Sequence, residues 1–388
     1  MPELGGQLGE IRIGEEAANP TISIQLSGVD TETIIEQARR EDNQGNRIRR
    51  VRHMLFEQLG ITGEHEFEQS HDFLWRQTKR SCLVLFRNIR ELADTSLDNA
   101  DARWKLIIDY PLDEAGHGPR DDLSRVQAFR HTHPGGTKTL CWIPAFFSVE
   151  AEKDLGMLVI LEHILTGERF AHYANHLSPQ DRQAAKSLLE NQRSVLRQRV
   201  QNHLEAAYGL EALTPGSLDT TRELELHERF VALQPGFEPQ PPVAATLAGA
   251  MEHLLSQALE HEFPAAPHFE AEIKTSNVQK VYEQVRAAIQ TEDGRVAIDK
   301  PLRPLLRHIA HPLQLGEMGY DATHFVLGQH WKNHLTRKAA EKGGAIDASQ
   351  LRTWLDEPKP MGLPRDAENM LIPRSSSFFR LTSPARSA

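Results

Sequence analysis

Cysteine is almost missing from this 388-residue chain. Cys82 and Cys141 are the two that occur, far apart and each inside an apolar run, which makes neither a disulfide framework nor a metal pair. Two buried thiols in a reducing compartment are the expectation. Long apolar runs are missing as well. The longest mainly apolar stretch, 155–165, is too short to span a bilayer and contains Glu162 and His163. The opening residues, MPELGGQLGEIRIGEE, carry acids and lack the apolar segment of a signal peptide. The chain is therefore expected to be cytoplasmic and not inserted in a membrane. Positive charge is in deficit, since 44 Lys and Arg face 54 Asp and Glu for a net charge of −10. That balance excludes a generally basic nucleic-acid binder, although a local basic face can sit on an acidic protein. Apolar residues make up 39% and mean hydropathy is −0.49, polar for a globular chain yet well short of a disordered one.

Familiar catalytic signatures are absent too. A phosphate-cradling P-loop needs glycines whose backbone N–H groups converge with a lysine on the phosphates. The nearest approach is HTHPGGTKTL, where Thr137 precedes Lys138 and Thr132 stands at the other glycine position, so both required glycines are missing. An ordinary Gly-Gly turn before a strand explains it. There is no H-E-x-x-H, G-x-S-x-G or paired C-x-x-C, which leaves zincin protease, α/β-hydrolase and zinc-ribbon readings without support.

What is present is a change of pattern along the chain. Residues 1–20 read as a loose leader, and TISIQL at 21–26 alternates like a half-buried strand. Asp30 or Thr31 can cap a helix, and Ile48, Val51, Leu55 and Leu59 mark one side of a second helix. Three short apolar runs, CLVLF at 82–86, LIID at 106–109 and LCWI at 140–143, alternate with polar helical stretches, the pattern of a parallel α/β sheet. The run 155–165 is apolar nearly all round and fits a buried helix or a core strand equally. Ser178-Pro179 is a clear helix start, and the spacing predicts one long amphipathic helix over 178–208. TPGS and QPGFEPQPP make 211–243 read as a linker. The fold class expected is thus α/β plus all-α. A short parallel sheet over 21–148 precedes a helical region at 149–210, the linker, a C-terminal helical, winged-helix-like domain at 244–372 and a disordered tail at 373–388.

Three clusters carry candidate chemistry. The strand LIID ends in Asp109, the place where an α/β fold presents a carboxylate, and Asp113, Glu114 and His117 follow in the loop. Such a set suits Mg²⁺ ligation or general-base work, or simply a capped loop with surface acids. His131 and His133 form H-x-H before the third run, and on a strand both rings would share a face as metal ligands. Surface histidines are the ordinary alternative. Arg39, Arg40, Arg47, Arg49, Arg50 and Arg52 crowd fourteen positions as candidate nucleic-acid contacts, although a solvated helix face beside Glu36, Glu41 and Asp42 reads the same way.

Longer phrases carry a resemblance. RWKLIIDYPLDEAGHGPRDDLSRV, TLCWIPAFFS, DLGMLVILEHIL and HLSPQDRQAAKSLLENQRSVLRQRVQNHLEAAYGL occur in that order, followed by HEFPAAPHFE, RVAIDKPLRPLLRHIAHPLQLGEM and DEPKPMGLPRDAENMLI. Over roughly residues 20–372 this resembles the middle to C-terminal portion of the PglY/BrxC-like large P-loop ATPases of bacterial phage growth limitation and BREX defence systems. The resemblance implies a role in antiviral defence, with the Walker A motif in an N-terminal module that this chain does not contain. No cofactor is then expected on this chain, and ATP with Mg²⁺ only where that module is present. Past PRDAENMLI the polar IPRSSSFFRLTSPARSA replaces an expected apolar helix. The chain is accordingly expected to be a fragment or split product. It would act without catalysis, through the missing ATPase module, sister defence proteins or DNA. The alternative is a metal-dependent hydrolase built on Asp109, Asp113, Glu114 and His117. DNA contact would use the arginine cluster or the basic helix at 332–342.

Overall fold

The three apolar runs form the centre of one five-stranded sheet in a computed structural model of the chain. The structure describes residues 11–13, 22–24, 29–63, 68–210, 216–221, 223–343 and 346–376. Strands β1 (Ile11–Ile13) and β2 (Ile22–Ile24) pair antiparallel, and the remaining residues of the expected leader lie outside the described residues. Helix α1 (Glu32–Gln37) is opened by Asp30, whose Oδ1 accepts from the Thr33 N–H at 2.9 Å. A 3₁₀ turn, Arg39–Glu41, leads to α2 (Gln44–Leu59), which Asn43 caps and Gly60 ends in the left-handed region at φ 69°.

The sheet itself begins with a hairpin, β3 (Gln69–Trp75) and β4 (Thr78–Phe86), turned at Arg76 and Gln77 with φ of 48° and 64°. After the short α3 (Asp94–Leu97) come β5 (Lys105–Ile108), α4 (Pro119–Thr132) and β6 (Thr139–Trp142), with β4, β5 and β6 parallel. β5 and β6 are buried at every position, as central parallel strands covered on both faces must be. Alternation divides their side chains. Val84, Leu106, Ile108, Leu140 and Trp142 meet the large helical core, while Leu85, Ile107 and Cys141 pack on Leu123, Val126 and Phe129 of α4. Both cysteines are buried and unpaired, and burial pushes the Cys82 thiol up to about 12.

Helix α5 (Val149–Leu165) resolves the helix-or-strand ambiguity of 155–165, and it is apolar nearly all round because it is buried between the sheet, α2 and α7. A short α6 (Arg169–Tyr173) precedes α7 (Pro179–Ala207), which starts where Ser178 accepts from the Asp181 N–H at 3.2 Å. The segment 211–243, read above as a linker, instead supplies β7 (Phe230–Ala232), the last strand, antiparallel to β6. The order β3-β4-β5-β6-β7 makes the sheet mixed, with a parallel centre and an antiparallel strand at each edge. Helix α8 (Leu247–Glu262) completes this unit against α2.

The C-terminal unit has its own core. It runs α9 (Thr275–Gln290), β8 (Arg295–Ala297), α10 (Arg303–Leu305) with a π turn at Leu306–Ala310, β9 (Gly316–Glu317), β10 (His324–Leu327), α11 (His330–Lys342), α12 (Ala348–Leu355) and α13 (Arg365–Ser376). The strands are antiparallel in the order β8-β10-β9, and Val285, Ile309, Phe325, Trp331, Trp354 and Leu371 are buried together. Helix α13 continues to Ser376, past the expected start of the tail, and 377–388 lie outside the described residues. The two units meet at the β3–β4 hairpin. Gln77 O accepts from the Ile273 N–H at 2.8 Å and Arg80 donates to Gly362 O at 2.6 Å, while Arg76 donates at 2.6 Å to the O of Ala266 in the first unit's own core. Two consecutive non-glycine residues in the left-handed region cost of order 1–3 kcal/mol each, and these tertiary contacts hold them there. No helix among the described residues is long and apolar enough to cross a membrane.

Candidate functional site

Asp109 stands where the sequence places it, at the carboxyl end of β5, and is 1% exposed. Its Oδ1 accepts from the N–H groups of Ile89 and Tyr110 at 3.1 and 2.8 Å, and its carbonyl oxygen accepts from the buried Tyr208 hydroxyl at 2.6 Å. The charged group that acts on it most strongly is a residue the sequence reading did not single out, Asp122 of α4, also 1% exposed. Oδ1 of Asp122 accepts from the Arg90 N–H at 3.2 Å. Oδ2 of each carboxyl is buried with no donor from the protein. Burial, then the charge of Asp122, raises Asp109 well above the carboxylate range, and burial pushes Asp122 up to about 7. With both carboxyls raised, the buried pair favours the protonated, uncharged form, which supplies an O–H to a region where each Oδ2 lacks a donor.

Asp113 is committed elsewhere. Its side chain is 2% exposed and takes a two-pronged contact from Arg90, at 3.0 Å from Nε and 3.1 Å from the terminal nitrogen. Burial pushes its pKa up, but Arg90, the Glu114 N–H and Asn88 outweigh that and hold it below the usual value. Glu114 is exposed, and His117 faces Asp121 at the start of α4, 3.5 Å away. Asp109 and Asp113 are thus fold-holding groups, while Glu114 and His117 lie on the outer loop. His131 and His133 correct the expectation of a strand, because they stand on the last turn of α4 and at its C-cap. Residues two apart on a helix do not share a face, and the His133 ring instead stacks on Phe129 with centroids 4.1 Å apart. Among the described residues no group of three or more His, Cys, Asp and Glu side chains is placed to hold a metal ion.

The six arginines divide. Arg47 grips Asp42 at 2.6 and 3.0 Å and Glu152 of α5 at 2.9 Å, and Arg50 pairs with Glu162 of α5, so these two clamp α2 onto α5. Arg39 pairs with Glu36 at 2.7 Å on the exposed first turns, and Arg40 and Arg49 are exposed. Arg52 lies over the Phe56 ring at 5.0 Å. On α11, Lys338 pairs with Glu357 and Lys342 donates to Gln350 at 2.7 Å. A second constellation escaped the sequence reading because its members are far apart in the chain. The His203 ring links Ser217 Oγ, 2.8 Å from Nδ1, to Asp154, 3.4 Å from Nε2. Ser217 is fully buried, so this chain of contacts ties the segment after α7 to α5 and presents no accessible nucleophile.

Two family models cover most of the chain. Residues 34–263 match the model described as PglY fourth domain, and residues 276–373 match the BREX System ATPase PglY protein 5th domain. No solved structure matches the chain.

Proposed function

We propose, for a chain that belongs to the PglY family of BREX-system ATPases through their fourth and fifth domains, that it works as a non-catalytic segment of that phage-defence machinery. It couples a nucleotide-hydrolysing module to other proteins of the system, in the cytoplasm, and turns over no ATP by itself. One observation carries this reading. At the ends of the parallel strands, where an α/β fold offers groups to a substrate, Asp109 is buried, its Oδ1 is taken by the Ile89 and Tyr110 N–H groups and its carbonyl oxygen by the Tyr208 hydroxyl. The first loop acid beyond it, Asp113, is neutralised by Arg90. Both acids at this strand end are thus spent on contacts that hold the fold together. The hairpin contacts between the two units add support, since a segment that transmits force between partners needs its parts tied. Titration of the purified chain with Mg·ATP, followed by a phosphate-release assay, tests the proposal. Neither binding nor release is expected; micromolar, Mg²⁺-dependent binding with turnover overturns it. DNA contact through the exposed Arg40 and Arg49 is the second reading, and it requires binding that weakens steeply with added salt.

A further inference from the structure

Beside α2 lies a cavity of about 600 Å³ whose wall the arginine cluster only partly foretells. It is lined by Arg49, Arg50 and Arg52 of α2 and by Arg169 of α6, with Glu41 and Glu162 the carboxylates on its wall. Four guanidiniums therefore face two acids. Both acids already have cationic or hydrogen-bonding partners on the same wall. Glu162 pairs with Arg50 and lies 3.8 Å from Arg197, and Glu41 lies 3.2 Å from His163 Nδ1 and 3.5 Å from the Asn46 amide. Arg49 and Arg169, by contrast, meet only uncharged acceptors among the described residues. Arg49 donates to Asn46 Oδ1 at 2.8 Å, and Arg169 donates to the His163 carbonyl oxygen at 3.4 Å. Two forked donors without an acid thus open onto one concave space, of a volume typical for small-molecule sites. Planar guanidinium forks match phosphate oxygens in pairs. Phe56 and Val159 give the cavity an apolar side.

We infer that this cavity binds the phosphate group of a small anionic ligand, held chiefly between Arg49 and Arg169. A long nucleic-acid backbone fits less well, because Arg39 and Arg47, which would extend the track, are occupied by Glu36, Asp42 and Glu152, and the cavity wall carries two acids. Calorimetry with inorganic pyrophosphate at low salt, without metal, tests the assignment on the whole chain. The Arg49→Gln/Arg169→Gln double variant is compared with Arg120→Gln/Arg337→Gln, which removes the same charge from exposed positions elsewhere. The parent and the control are expected to bind pyrophosphate, and the cavity variant to bind roughly tenfold more weakly or not at all. Should the double variant misfold, Arg49→Gln alone is expected to give a partial loss. Absence of binding by the parent, or equal binding by the cavity variant and the control, overturns the proposal. So does tighter binding of a DNA duplex lacking terminal phosphates with the same dependence on Arg49 and Arg169.

Discussion

Glycine inside a helix normally invites replacement by alanine, with a gain of about 1 kcal/mol in an exposed interior position. Gly156 of α5 reverses that expectation. A Cβ built there would sit 2.4 Å from Asp42 Oδ2 and 2.7 Å from Oδ1 and Cγ, far inside contact distance. Asp42 is the end of a short side chain and could swing away, but only by leaving the two-pronged grip of Arg47 at 2.6 and 3.0 Å. The side chains of Asp42 and Arg47 are 24% and 22% exposed, so theirs is a partly buried, charge-assisted pair worth about 1.5–3 kcal/mol. Subtracting the helix gain leaves Gly156→Ala destabilising by about 0.5–2 kcal/mol, or up to a few degrees in the melting temperature of a unit this size. Urea unfolding of four proteins checks it: the parent, Gly156→Ala, Asp42→Ala and the double variant. In the Asp42→Ala background the glycine replacement is expected to stabilise, because the obstructing carboxylate is gone, so the cycle shows a coupling of more than about 1 kcal/mol. A Gly156→Ala protein more stable than the parent, or additive effects, refutes the reasoning.

The buried acid pair predicts a pH dependence. Asp122 is pushed up from 3.8 to about 7 in the fold, so the folded state keeps a proton that the unfolded chain releases. Its stability contribution is full in acid, falls by up to about 1.4 kcal/mol per pH unit from pH ~4 to ~7, and levels above. Asp122→Asn removes that titrating carboxyl and is expected to reduce the slope in urea unfolding at a series of pH values; an unchanged slope contradicts the upward push on Asp122. Tyr208→Phe removes the buried hydroxyl that donates to Asp109 O and is expected to cost about 1 kcal/mol, read by the same unfolding. Arg80→Gln removes the donor to Gly362 O and the guanidinium lying 5.3 Å from the Trp75 ring and 5.5 Å from Phe263. Limited proteolysis is expected to cut the 264–274 segment faster while the sheet stays intact, and an unchanged digestion pattern argues against the tie between the units.

The central strands were legible because burial on both faces makes a parallel strand one continuous apolar run, as at 106–108 and 140–142. Ser178-Pro179 was legible because a cap and a pre-set φ act locally. The edge strands were not. β7 has three residues between Pro- and Gly-rich segments, and the β3–β4 turn uses Arg76 and Gln77 where hairpin chemistry favours Asn or Gly. The same boundary runs through the site. Asp109 could be read from its place after an apolar strand, whereas Asp122, Tyr208 and the Ser217–His203–Asp154 contacts depend on packing between distant segments. The H-x-H pair misled because its spacing has one meaning on a strand and another on the end of α4. The arginine run revealed charge but not direction, and Arg47 and Arg50 turn inward to Glu152 and Glu162.

Glu114 and His117 are the members of the predicted catalytic set that are not buried in the fold, so replacing them probes chemistry while leaving Asp109 and Asp113 in place. The most direct measurement is the plating efficiency of phage on cells carrying the defence system with a Glu114→Gln/His117→Asn chain. Protection equal to that of the parent is predicted for a segment that works by contact. Loss of protection, with the variant chain present at parental level and folded, contradicts the account and returns the strand ends to catalysis.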